Sequence, residues 1–235
     1  MVLKEILKFC HMQYTPRTIV DILNAREMHL RSESELASRQ ALGQLRTDLG
    51  TIISSNSACV FAGQMPQEQL LPEVVRIIKS CVRLGAGVVL DSSGELLGKV
   101  VRSCTTWLIK PNVEELRELL NERVRDEPVA LARAGRKLLG RTCVVLISRA
   151  DRGAVVVTEE GAWQGRVVGC ERVLSTVGCG DYLLAGFLKA LKESGHAGSA
   201  LVTGIKVAAA KAWGWTEERN WEAVRQEIAA DVEPV

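Results

Sequence analysis

Thr176-Val177-Gly178-Cys179-Gly180-Asp181-Tyr182-Leu183-Leu184-Ala185-Gly186-Phe187-Leu188 is the stretch whose reading decides the fold and the chemistry of this chain. Two glycines precede an acid. The acid precedes apolar residues (Leu183, Leu184, Phe187, Leu188, Leu191) that recur at i, i+4 and i+8, the spacing of a helix lying on a sheet. The pattern predicts a helix that starts at Asp181. Glycine at 178 and 180 permits φ > 0 and close approach of a ligand, and the N–H groups of the first helical turn then face whatever binds there. That is an anion cradle. A carboxylate in the same turn is favoured in its charged form by the helix dipole, and it reaches both a bound phosphate and a hydroxyl facing that phosphate. The plainer reading of the same residues is a capping Asp after a tight turn, because Asp is among the commonest N-cap residues.

The whole chain narrows the classes. Its 235 residues and 25.7 kDa give room for one sizeable α/β domain. Thirty basic against 28 acidic side chains leave a formal charge of +2, with no basic stripe and few aromatics, so nucleic-acid binding has no electrostatic footprint. The seven cysteines (10, 59, 81, 104, 143, 170, 179) form an odd set without a C-x-x-C pair, and most lie in apolar runs. They read as reduced core thiols of a cytosolic protein. No apolar run approaches membrane-spanning length, and the start of the chain lacks the apolar region and cleavage site of a signal peptide. The expectation is a cytoplasmic enzyme with no membrane partner.

Taken in order, residues 2–10 predict a short amphipathic helix with no strand before it. Arg17 to Leu23 and Glu27 to Arg31 predict a hairpin across Asn24-Ala25. Ser34-Glu35 opens a helix with Leu36, Ala37, Ala41, Leu42, Leu45 and Leu49 on its apolar side, and Ser57 to Phe61 is a strand stopping at Gly63. A regular alternation follows: helix 68–84, strand 87–90, helix 95–103, strand 106–109, helices 113–123 and 127–139, strand 142–147, a hairpin 153–168 turning at Glu159-Glu160-Gly161, and helices 181–194, 197–213 and 219–230. Strand–helix alternation with continuous apolar strands predicts a mostly parallel sheet covered on both faces. In such sheets ligands bind beyond the carboxyl ends of the strands. Gly63, Asp91, Lys110-Pro111-Asn112 and Ser148 follow four of these strands, so small, polar and charged groups arrive on the edge that also receives the 178–181 turn.

Several segments resemble, in order, those of the PfkB (ribokinase-like) family of carbohydrate kinases, most closely its 1-phosphofructokinase and tagatose-6-phosphate kinase branch. Val177-Gly178-Cys179-Gly180-Asp181 is similar to the family's Gly-Ala-Gly-Asp turn. Ala62-Gly63-Gln64-Met65-Pro66 resembles its Ser-Gly-Ser-Leu-Pro, and Leu90-Asp91-Ser92-Ser93-Gly94-Glu95 its Leu-Asp-Thr-Ser-Gly-Glu. Lys110-Pro111-Asn112-Val113-Glu114-Glu115-Leu116 resembles Lys-Pro-Asn-x-x-Glu-Leu, and Ser148 to Gly153 takes the place of a Ser-Leu-Gly-x-x-Gly loop near the nucleotide.

The resemblance implies a ribokinase-like three-layer α/β/α fold, one domain over 1–235 with 17–31 as a small β lid, and a homodimer joined through that lid. It implies transfer of the γ-phosphoryl group of ATP, with Mg²⁺, to a phosphorylated ketohexose: fructose 1-phosphate to fructose 1,6-bisphosphate, or tagatose 6-phosphate as the alternative substrate. Asp181 would be the catalytic base, and the amides of Gly178, Cys179 and Gly180 the anion hole, roles that suit a reaction made mostly of positioning and charge stabilisation. Asn112 and Glu115 would organise Mg²⁺ through its waters. Lys110, Ser148, Gly153 and Gly204 would border the nucleotide, and Arg17 and Gly63 the substrate. Three departures stand out. Ala150 replaces the first glycine of the nucleotide loop and Gln64 a serine near the sugar. The family's amino-terminal strands, with their acidic sugar ligand, have no counterpart, so the sheet is expected to be incomplete on that side, and an open edge invites a partner.

Two competitors belong to other classes. A remnant that binds nucleotide or a protein partner would keep the anion turn without turnover. A dinucleotide-binding oxidoreductase fits poorly, because Gly-x-Gly at 178–180 lies late in the chain and lacks both the third glycine and the acid about 20 residues on.

Overall fold

Four apolar runs become parallel strands because each is too short for a buried helix and carries β-branched or aromatic residues. The computed structural model describes residues 17–21, 26–30, 38–63, 68–169, 171–215 and 221–235. The strands are β1 (Arg17–Asp21), β2 (Arg26–Leu30), β3 (Ala58–Ala62), β4 (Gly87–Asp91), β5 (Thr106–Ile109), β6 (Thr142–Ser148), β7 (Ala154–Val157), β8 (Ala162–Val168) and β9 (Ala229–Pro234). The helices are α1 (Arg39–Ile52), α2 (Leu71–Arg83), α3 (Gly94–Ser103), α4 (Val113–Leu120), α5 (Pro128–Arg136), α6 (Cys179–Ser194), α7 (Ala197–Ala212) and α8 (Trp221–Glu227). β1 and β2 form an antiparallel hairpin separate from a seven-stranded sheet ordered β3-β4-β5-β6-β7-β8-β9. β3 to β6 pair in parallel and β6 to β9 antiparallel.

Consecutive residues of the central strands point to opposite faces, and both faces are buried. Leu90, Ile109, Val145, Ile147, Val155 and Val157 pack with Leu71, Val74 and Ile78 of α2, Leu96 and Val100 of α3, Leu116 of α4 and Leu131 of α5. Val89, Leu108, Val144, Leu146, Ala154 and Val156 face the other way, onto Leu183, Leu184 and Phe187 of α6 and Leu201 and Ile205 of α7. The result is the three-layer α/β/α arrangement. α6 and α7 approach so closely that a Cβ on Gly204 would stand 2.9 Å from the carbonyl oxygen of Leu183, and one on Gly186 3.1 Å from Cα of Gly204.

The structure corrects several expectations. Helix α6 starts two residues earlier than expected, at Cys179. Its N-cap is Gly178 in the left-handed region (φ 79), so Asp181 is the third helical residue and caps nothing. The final helix stops at Glu227, and Ala229–Pro234 forms a strand instead. Its alternation carries this, with Ala230 and Val232 packed inward while Asp231 and Glu233 lie outward, and six residues pair with β8. α4 ends at Leu120 rather than 123 because Asn121 takes a left-handed cap (φ 52), and α5 ends at Arg136. α1 is capped by Ser38, whose Oγ accepts from the amide of Ala41. Among the described cysteines Cys59 and Cys81 are buried thiols, but Cys143, expected in the core, is exposed. The expected helix 2–10, the turn at Asn24-Ala25, the opening at Ser34-Glu35, Gln64, Cys10 and Cys170 lie outside the described residues. No described helix is long and apolar enough to cross a membrane.

Candidate active site

The carboxyl ends of β3 to β6 are tied into one row by backbone hydrogen bonds. The amide of Gly63 donates to the carbonyl of Asp91 (3.3 Å), that of Lys110 to Leu90 (3.0 Å), and that of Ser148 to Pro111 (3.0 Å). Gly63 (φ 97) ends β3 in a conformation open to glycine. The expected convergence of strand ends is therefore present.

The glycine turn reaches this row from α6. Tyr182 makes the first helical bond, its amide donating to the carbonyl of Gly178 at 3.0 Å. The amide of Cys179 donates to the carbonyl of Thr176 at 3.2 Å, closing the turn, so Cys179 is not presented as the free donor that was expected. Gly180 and Asp181, one and two residues on, have no acceptor for their amides among the described residues, as the start of a helix requires. Asp181 itself is exposed, and its Oδ2 lies 4.0 Å from where a Cβ on Gly178 would stand.

Lys110 approaches from the sheet side, and its Nζ lies 3.1 Å from where a Cβ on Gly180 would stand. Its side chain is only 8% exposed and pairs with Asp91 at 3.0 Å, so it is a buried ion pair rather than a surface one. Burial raises the Asp91 carboxyl above its usual value. The charge of Asp181 pushes it the same way, while Lys110 opposes both. The sequence places Asp91 at a strand end on the ligand edge but gives it no partner. The signal that finds it is register: Leu90 pairs with Ile109, so the next residues, Asp91 and Lys110, are neighbours across two parallel strands. Lys211 of α7 is a second residue that sequence reading missed. Its Cε lies 3.8 Å from the Cβ position of Gly178 and its ammonium 5.6 Å from the centroid of the Tyr182 ring.

Asn112 and Glu115 close a capping box at the start of α4. Oδ1 of Asn112 accepts from the amide of Glu115 (2.9 Å), and Oε2 of Glu115 accepts from the amide of Asn112 (2.8 Å). Burial raises the Glu115 carboxyl above its usual value, with the Asn112 amide and Lys110 opposing and Asp91 and Glu118 adding to the rise. No three His, Cys, Asp or Glu side chains among the described residues are grouped to enclose a metal. A cation here would be held by one or two oxygens and keep its waters, the manner of Mg²⁺. Glu115 fits such an ion, since the box uses only one of its oxygens and a half-buried carboxylate gains from a cation.

These raised carboxyls fix a pH dependence. Asp91 and Glu115 bind protons more tightly folded than at their ordinary values of 3.8 and 4.5. The folded chain holds more protons across that interval, so stability falls as pH rises through it. Glu115→Gln keeps the capping acceptor and removes the titration. Urea midpoints measured from about pH 4 to pH 7 are expected to fall less in this variant than in the parent.

Ser148 ends β6, and its loop turns back through a 3₁₀ turn, Ala150–Arg152. The amide of Arg149 donates to the carbonyl of Gly153 at 2.8 Å, and Nε of the buried Arg149 donates to Oδ1 of Asp126 at 2.7 Å while Arg152 pairs with the same carboxylate. Ala150, which replaces the family's glycine, is left-handed at φ 53. That conformation costs a non-glycine residue roughly 1–2 kcal/mol, so Ala150→Gly is expected to raise unfolding stability by about 1 kcal/mol after glycine's entropy is set against it. Denaturant titration checks this. At Gly204 α7 packs against α6, where a Cβ would meet Leu183 and Phe187. Arg17 opens β1.

The three-layer α/β domain thus brings a glycine turn, an exposed acid and a buried lysine together at the carboxyl ends of its strands. The chain belongs to the pfkB family of carbohydrate kinases, which it matches over residues 8–212. It is 29% identical over 187 residues to 1-phosphofructokinase of Borreliella burgdorferi, covering 77% of this chain and 59% of that protein. It is 30% identical over 174 residues to 1-phosphofructokinase of Bacillus subtilis, covering 74% and 56%. The chain thus spans little more than half the length of these relatives. Its fold superposes on the crystal structure of phosphofructokinase-2 from Escherichia coli in complex with fructose-6-phosphate with a TM-score of 0.78 at 20% identity, over 89% of this chain and 67% of that one. The fold is ribokinase-like.

Proposed function

We propose that this chain transfers the γ-phosphoryl group of ATP to a hydroxyl of a phosphorylated ketohexose, with fructose 1-phosphate as acceptor and fructose 1,6-bisphosphate as product. The observation that carries this is the exposed carboxylate of Asp181 standing on a helix start whose amides at 180 and 181 have no acceptor among the described residues, with the buried ammonium of Lys110 beside Gly180. Asp181 takes the proton of the attacking hydroxyl as its oxygen bonds to the γ-phosphorus and the bond to the β-phosphate oxygen breaks. The amides and Lys110 stabilise charge on the transferred group, which is the main work the protein does in such a reaction. Asn112 and Glu115 would hold Mg²⁺ with its waters, and the ion would neutralise phosphate charge.

Ser148 and Gly153 lie on the loop that would border the nucleotide, and Gly63 and Arg17 are assigned to the sugar phosphate, Arg17 through a bidentate grip. The β1–β2 hairpin, separate from the main sheet, is assigned as the lid and the element that joins two copies. The reading includes a cytoplasmic location and no nucleic-acid partner. The names of the relatives support a sugar-phosphate acceptor. Coupled measurement of ADP formation from Mg·ATP with fructose 1-phosphate, fructose 6-phosphate and tagatose 6-phosphate tests it. Turnover that requires fructose 1-phosphate supports the proposal, turnover highest with tagatose 6-phosphate moves the substrate, and nucleotide binding without any sugar-dependent turnover replaces it with a binding role.

A further inference from the structure

We propose that Asp91 is a positioning residue of this site, holding the ammonium of Lys110 over the open face of Gly180 so that it meets the phosphoryl group where charge develops. The inference rests on the phosphotransfer reading above. Leu90 and Ile109 face α2 and α4, so the residues that follow them turn to the opposite face of the sheet, the one covered by α6. There Lys110 meets Asp91 and Gly180. Its Nζ bonds Oδ1 of Asp91 at 3.0 Å and lies 3.1 Å from the point a Cβ on Gly180 would occupy. Any side chain at 180 would take the ammonium's place. The glycine in the turn therefore makes room for a lysine of this chain as well as for a ligand.

Both charges of the pair are nearly out of water, with 8% and 14% of their side chains exposed. A buried ammonium without its partner is strongly unfavourable. A lysine stem has four rotatable bonds, and Asp91 removes that freedom. Without the carboxylate, Lys110 would follow the ground-state phosphates of a bound nucleotide. That is uniform binding, which preserves affinity and loses rate. Asp91 differs in this respect from a residue that only supports the fold, whose loss would weaken nucleotide binding and turnover together.

Steady-state kinetics and ATP-induced thermal shifts of Asp91→Asn test the proposal, with Asp91→Glu as a second variant that keeps the charge and moves it by one methylene. The expected result for Asp91→Asn is a kcat lower by about 10-fold or more, a KM for ATP no higher than the parent's, and an ATP-induced thermal shift at least as large. Asp91→Glu is expected to recover part of kcat with the same KM, and it decides alone if Asp91→Asn does not fold. A kcat within about twofold of the parent in the folded variants, or a KM that rises as the thermal shift disappears, overturns the proposal. If the parent transfers no phosphoryl group to any acceptor, the function fails separately. The thermal shift then decides: an equal or larger shift in Asp91→Asn supports the positioning role, and a smaller one ends it.

Discussion

Asp181→Asn is expected to lower kcat by roughly 10²–10⁴-fold while leaving the fold and nucleotide affinity nearly unchanged. The residue sits in the first turn of α6, is exposed, and is the third helical residue rather than the cap, so no hydrogen bond that closes the helix depends on its charge. Surface substitutions of this kind change stability by within about 0.5 kcal/mol. Asparagine keeps the shape and removes the ability to accept a proton from the attacking hydroxyl. The loss should appear in kcat and kcat/KM together, the mark of an interaction made in the transition state. Circular dichroism and thermal unfolding of the variant, beside its kinetics, check both halves. Parent-like turnover in a folded variant would remove Asp181 from the chemistry.

Gly153→Ala is expected to cost more than about 4 kcal/mol, a large share of the stability of an ordinary domain. Gly153 adopts φ 84 and ψ −132, a conformation essentially confined to glycine. A Cβ there would stand 1.9 Å from the carbonyl oxygen of Gly165 and 2.9 Å from its carbon. That oxygen belongs to β8, which is paired on both sides, with β7 and β9, so the strand has little freedom to retreat. Relief would require parting the β7–β8 hairpin or unwinding the loop after β6. A melting temperature lower by about 10 °C, or failure to accumulate as soluble protein, is the expected observation. A loss below about 1 kcal/mol would mean the loop can be rebuilt without glycine.

The contrast between Gly153 and Gly204 shows what the sequence could and could not convey. Both were assigned to the nucleotide because both fall in segments that resemble the family's nucleotide border. At 153 the backbone conformation demands glycine, whereas at 204 the demand comes from α6 packing against α7. A glycine's reason is a three-dimensional fact, and a motif does not distinguish the two. Asp91 was legible in part. Its position at the end of a strand was read correctly, but its partner required the register of β4 on β5. Lys211 gave no signal, since it reaches the turn from a helix that begins 16 residues after Asp181.

The layered α/β arrangement was legible because both faces of the central strands are apolar and the helices between them carry clean stripes. β9 was not, because Ala229 and Ala230 extend a helical composition, and pairing with the exposed edge of β8 overrides it. The start of α6 was displaced for a related reason. Cys179 and Gly180 are poor helix formers that take helical geometry because Gly178 turns the chain, and the amide of Cys179 bonds within that turn.

The central claim is that the turn before Asp181 presents backbone donors to a nucleotide phosphate. Amide chemical shifts of ¹⁵N-labelled protein titrated with Mg·ATP measure this most directly. The account predicts the largest perturbations at Gly180 and Asp181, with Gly195 at the far end of the same helix unmoved. Saturable nucleotide binding that leaves Gly180 and Asp181 in place would contradict it.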